Sequence, residues 1–389
     1  MTTRRRPALG AGVLALALVL AGAPAAVAGP PRPATWTAVE LGTLGGARTT
    51  PTAVNDRGQV VGRSQVADGR WHAFLWDDGV MTDLTPDAQD GTATDISNRG
   101  HVSGYVQPAP VEDSDAYLWR DGTTTVLAEI GYGIVVNERG QVGGGVAKPE
   151  TWSDNPFVWT AGVRTDLTPP PFPGARTSTS IIDLNRGGTV LGLGEYEDDT
   201  DLAYVWSGGV FTELRADGLV LRGTDLNDRG HVTGTVHLGG GLREAALWRD
   251  GAITRLGLLP GTVASRALAL NDQGVVVGVS EPVPGQAGTG FVWERGTMRS
   301  IGAVGDGWSV ASDVNERGQV AGQLGSTAPD GTDVAQPFVW QRGTLTPLGA
   351  PTPDDVSVVD LSEKGHVVTI TGDFLAERGV LWVPAQRRS

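Results

Sequence analysis

The sequence predicts an all-β chain, a single β-propeller of eight four-stranded blades. Three observations predict it. A glycine followed two residues later by valine recurs at Gly58, Gly100, Gly140, Gly188, Gly230, Gly274, Gly318 and Gly365, with a period of about 44 residues. A tryptophan recurs once per unit, at Trp76, Trp119, Trp159, Trp206, Trp248, Trp293, Trp340 and Trp382. The intervals around both markers are fixed, and no stretch beyond the N-terminal segment has helical periodicity.

The N-terminal segment comes first. Arg4, Arg5 and Arg6, the short apolar run Val13 to Leu20 and the small residues Ala26-Val27-Ala28 read as an export signal over residues 1–28. The run is too short and alanine-rich for a membrane anchor. The adjacent arginines hint at twin-arginine export, which Pro7 and Ala8 fit poorly, so the route stays open. Residues 29–34, with three prolines, read as an extended leader. The protein is therefore expected to be extracellular. It has no cysteine, so its core alone must stabilise it and a lipid anchor on cysteine is excluded.

Residues 35–383 carry the repeat, and residues 384–389 form a short tail. Each unit reads as two hairpins. The first turns through Asn55-Asp56-Arg57-Gly58: Asn bonds the backbone ahead of it, and Gly accepts positive φ. A second glycine follows the anchor, as at Gly62 and Gly104, with Thr369 in the last copy. The second hairpin runs from Ala73-Phe74-Leu75-Trp76 through Gly79 to Leu84. Its strands are apolar on both faces, as strands between neighbouring sheets should be. One tryptophan per unit is expected in the core.

The last unit ends too soon after Trp382 to hold a fourth strand. Trp36 to Leu41 reads as a lone strand that completes it and closes the ring. An open solenoid is the alternative, but it would not need a split unit.

His72-Ala73-Phe74-Leu75-Trp76, together with Leu41-Gly42-Thr43-Leu44-Gly45-Gly46, resembles the bacterial extracellular HAF repeat family, named for its His-Ala-Phe triplet. The resemblance spans about residues 41–383, and only the first unit carries the triplet intact. It implies an exported protein with a propeller-like fold. It implies no activity.

Composition narrows the function. The formal charge is −14, and removal of the three signal arginines makes it more negative still. Nucleic acid and anionic membrane surfaces are disfavoured partners, and no membrane span is expected. His101, His231 and His366 occupy one repeat position and read as strand-surface residues. Five histidines and no cysteine leave little material for zinc or histidine-dependent catalysis. Gly-x-Ser-x-Gly and phosphate-loop motifs are absent.

The fixed intervals belong to the first–second and third–fourth turns. The variable intervals belong to the second–third loops and the crossings between units, on the opposite face. Insertions confined to one face often mark a binding face. Glu195, Glu197, Asp198, Asp199 and Asp201 fall there as the metal candidate, with calcium the cation their hard oxygens suit; the plain alternative is a solvated acidic loop. Glu112, Asp113 and Asp115 form a smaller acidic group. Trp152 and Trp308, read as loop residues on this face, are the ligand-binding candidates. No catalytic residue stands out. The expected protein is a monomeric binding or scaffolding module for a carbohydrate or protein ligand. One alternative is a propeller enzyme acting on polysaccharide, which carboxylates converging near a central channel would favour. Another is a structural protein of the cell envelope.

Overall fold

A computed structural model describes residues 35–385 except 109–112, 149–152, 168–171, 173, 197–200, 354 and 373–375. The chain divides into Met1–Pro33, outside the described residues, and the unit Ala34–Ser389. The expected signal, leader and final tail residues 386–389 thus lie outside the description.

The described residues are all-β, in seven hydrogen-bonded sheets. Most hold four antiparallel strands in sequence order, such as Thr289–Glu294 between Val276–Glu281 and Thr297–Ser300. One has a fifth short strand, Arg215–Ala216. An eight-stranded sheet consists of two four-stranded halves, joined at the single parallel pair Trp71↔Asp90. In a further sheet the N-terminal strand Trp36–Glu40 pairs antiparallel with the C-terminal strand Arg378–Pro384, from Trp36↔Pro384 to Glu40↔Val380.

Local chemistry explains each turn. The Asn55 carbonyl accepts the Gly58 N–H at 3.0 Å, and Gly58 takes φ 78°, which a side chain would resist. In the second hairpin Asp78 and Gly79 both have positive φ, the geometry that matches the right-handed twist of a two-residue hairpin.

The second repeat glycine answers to a β-bulge. The first strand of every unit slips register at a shared place shortly before the turn, for example between Ala93 and Asp95 and between Ala311 and Asp313. A Cβ on Gly104, opposite the first of these, would stand 2.1 Å from the Thr92 carbonyl oxygen. The bulge re-aims the residue that lies two before the turn Asn or Ser.

The core runs between sheets. Phe74, Tyr117, Phe157, Tyr204, Phe291 and Phe338, each two residues before a repeat tryptophan, are almost wholly buried. Of the repeat tryptophans only Trp76 is buried; the other seven are half-buried. That corrects the expectation that the tryptophans are the core. The physical reason is the period of two along a strand: Trp and the aromatic before it share a face, but the latter sits deeper between the sheets. One apolar cluster unites Val54, Val60 and Phe74 with Val368 and Leu381, so the first and last units share a core.

Candidate functional site

The bulges and Asn turns of successive units converge on one cavity of about 390 Å³. Asn55 shows how the wall is built. Its Oδ1 accepts the N–H groups of Arg57 and Gln59, while its Nδ2 donates to the Ser97 carbonyl of the next unit. Asn137, Asn185, Asn227, Asn271 and Asn315 each donate likewise to the turn carbonyl of the unit after.

Two residues before the turn Asn or Ser stand Asp95, Asp183, Asp225, Asp313 and Asp360. Each Oδ1 accepts the N–H of the following residue, at 2.6–2.9 Å. Each Oδ2 accepts an N–H from the next unit, as from Val136 to Asp95 and from Leu270 to Asp225. Two charge-assisted hydrogen bonds favour the charged carboxylate. Burial opposes them and is the larger effect. It pushes Asp95 and Asp183 up to about 6, and Asp225 and Asp313 well above the usual carboxylate range. Asp225 is raised further by the Asp183 charge, and Asp313 by that of Asp360.

The residue after each turn Asn or Ser also lines this cavity: Asp56, Asn98, Glu138, Arg186, Asp228, Asp272, Glu316 and Glu363. Most accept the backbone N–H of the preceding turn, as Asn98 does from Asp56 and Glu316 from Asp272. Convergent carboxylates therefore exist, as the enzyme alternative asks. Both oxygens of the five inner ones accept main-chain donors, which makes them clasps between units, and side-chain hydrogen bonds also link Asp183 with Asp225 and Asp313 with Asp360. Sequence reasoning missed them, although Asp-apolar-Asn or Asp-apolar-Ser recurs five times where other units carry Ala53, Val135 or Ala269.

Trp308 is not a loop residue but the first of the strand Trp308–Val314, half-buried, paired with Gly325. A Cβ on Gly325 would lie 2.1 Å from the indole, so the ring rests directly on that strand. It lines a cleft of about 760 Å³ with Asp306, Thr327, Asp333, Pro353 and Asp355. Trp152 lies outside the described residues, as do Glu197, Asp198 and Asp199. Glu195 is exposed near the end of Val190–Tyr196 and faces Asp201 in register. Among the described residues no three His, Asp or Glu side chains are grouped to hold a metal ion.

The histidines need correcting. His101 is buried and His231 and His366 are half-buried, not strand-surface residues. The His101 ring packs on the Gly140 turn and the His366 ring on the Gly58 turn, filling space between units that a Cβ there would narrow. His72, also buried, holds Asp83 at 2.7 Å through Nδ1.

No protein-family model matches the chain, and no curated protein matches it. Solved structures do. The β-propeller domain of the Trilobed protease from Pyrococcus furiosus, described as having an open velcro topology, is 10% identical with a TM-score of 0.51, over 76% of this chain and 96% of that one. An acylaminoacyl peptidase from Pyrococcus horikoshii is 13% identical with a TM-score of 0.48, over 74% of this chain and half of the peptidase. YCF48 bound to D1 peptide is 12% identical with a TM-score of 0.42, over 90% and 94%. At these identities the likeness concerns the fold, which is that of a β-propeller.

Proposed function

We propose that this chain is an exported binding module of eight blades, closed into a ring by Trp36–Glu40, that takes a carbohydrate or protein ligand on its variable-loop face. The HAF-like repeat and the signal-like N-terminus support export and an extracellular site of action. Eight repeat anchors support the blade count. The hydrogen bonds from Val54 to Asp360 and from Lys364 to Asp56, between the first and last units, support closure.

The observation that carries the binding reading is the cleft beside Trp308. Its volume suits a small ligand. Its wall joins an indole to the carboxylates of Asp306, Asp333 and Asp355. An indole edge or face takes the apolar side of a sugar, and carboxylates accept hydroxyl hydrogens. The same set accepts a basic or hydroxyl-bearing side chain of a protein. Among the described residues no helix is long and apolar enough to cross a membrane.

A glycan and protein array, probed with wild type and with Trp308→Ala, tests this. Capture by wild type that the substitution abolishes supports the cleft. Capture that survives the substitution, or no capture at all, removes this reading. The five inner aspartates favour a polysaccharide-acting enzyme as the second reading, since Asp95 and Asp183 are raised towards neutrality. Turnover of an array glycan that Asp183→Asn abolishes would replace binding by catalysis.

A further inference from the structure

A second cleft, of about 670 Å³, lies between the units of Trp293 and Trp340, beside the short turns that bear Arg317 and Arg342. Three arginines border it: Arg299, Arg317 and Arg342, all exposed. None of the three side chains makes an ion pair or hydrogen bond among the described residues. Glu294, the carboxylate in the wall, is held by Arg295 at 3.4 Å. Arg317 acts on Glu363 only as a longer-range attraction. Trp340, Val275 and Ile301 supply apolar wall.

The repeat makes this gap unusual within its own chain. The position of Arg299, six residues after the tryptophan, is Thr82, Thr125, Thr165, Thr212, Thr254 and Thr346 elsewhere. The position of Arg342, two after the tryptophan, is Asp78, Asp121 and Asp250 in three other units and Arg295 in the unit before. That position has positive φ, 51° at Arg342, where Asp is readily accommodated and Arg is not the residue the backbone asks for. Where the gaps around Arg99 and Arg229 set threonine and aspartate beside the turn arginine, this gap sets two further arginines. The local sign is thereby reversed in a protein of net charge −14.

We infer that this cleft binds a small anionic ligand with a ring face and one or two carboxylates, about the size of an acidic disaccharide. Guanidinium forks match carboxylates bidentately, and an indole at the wall offers contact to a sugar ring. The net negative charge repels a long polyanion, whereas a short ligand meets only the local positive field. Site and ligand class are independent of the Trp308 cleft.

Calorimetric titration of the full chain with digalacturonate tests the inference, with neutral digalactose and a short poly-aspartate peptide as the other arms. Digalacturonate is expected to bind, more weakly as salt rises, and the neutral sugar to bind at least tenfold more weakly. Arg317→Ala and Arg342→Ala should each weaken binding about tenfold or more, as loss of a charge-assisted hydrogen bond does. Both side chains are exposed, so the melting temperature should hold. Trp308→Ala should leave this binding unchanged. No binding, equal binding of the neutral sugar, preference for the peptide, or indifference to both arginine substitutions overturns the inference.

Discussion

The Asp360 carboxylate accepts the backbone N–H of Val54 at 2.7 Å, across 306 residues of sequence. Four like bonds, each between neighbouring units, use Asp95, Asp183, Asp225 and Asp313. The repeat thus carries its own fastener, and the bond between first and last units is of the same kind as the others. The N-terminal strand adds a second fastener, of main-chain pairing.

Deleting Trp36–Glu40, behind a fresh export signal, should lower the melting temperature sharply. The deletion strips the edge of Arg378–Pro384 and opens the apolar cluster that includes Leu41 and Leu381. Thermal unfolding checks it; an unchanged midpoint means that the strand contributes no fastening.

Phe291→Ala should cost roughly 3–5 kcal/mol, as large aromatic truncations in cores do. Phe291 is fully buried, whereas Trp248 is half-buried against its cluster. Trp248→Ala should therefore cost clearly less. Denaturant midpoints decide, and a greater loss at Trp248 would restore the tryptophan to the core.

The repeat made the fold legible, because hairpin turns and strand alternation are local. Asn55, Gly58 and Gly79 announce their turns by residue type alone. Depth was less legible. Trp119 and Tyr117 lie on one face of one strand, and sequence does not say which is nearer the neighbouring sheet. The inner aspartates were hidden by the bulge. A regular strand would have placed Asp95 differently, and a single skipped residue turns five of them towards a shared cavity. The arginine cleft escaped notice because Arg299 and Arg342 belong to different units, and only folding brings them to one gap.

The acidic hairpin gives a plain prediction. Glu195 and Asp201 are opposite in backbone register, in a stretch rich in acidic residues. Glu195 is exposed, where water and salt screen charge. Millimolar calcium should leave the melting temperature unchanged, and Asp198→Asn with Asp199→Asn should do no harm. A clear calcium-dependent rise that the double substitution abolishes would instead assign a metal site there by mass action.

The last prediction concerns pH. The five inner aspartates have folded-state pKa values raised above their ordinary value, mainly by burial. The folded state then binds protons more tightly than the unfolded chain, and stability falls as pH rises. For Asp95 and Asp183 that stability is fully present below the ordinary value of 3.8 and lost as pH rises through about 6. Asp225 and Asp313, also raised well above 3.8, lose their share in the same direction as pH rises. His101, His231 and His366 act oppositely, since burial lowers them, but only below their ordinary value of 6.5. Between pH 8 and 6.5 the aspartates therefore dominate, and the melting temperature should rise as pH falls. Asp225→Asn removes one titrating group, the one that the Asp183 charge raises, and should flatten that rise. Its absolute stability is a poorer readout, because an amide replaces one of two acceptors that hold Leu226 and Leu270. A wild-type midpoint that is level from pH 8 to 6.5, or a slope untouched by Asp225→Asn, would show that Asp225 does not titrate in that range and would overturn the prediction.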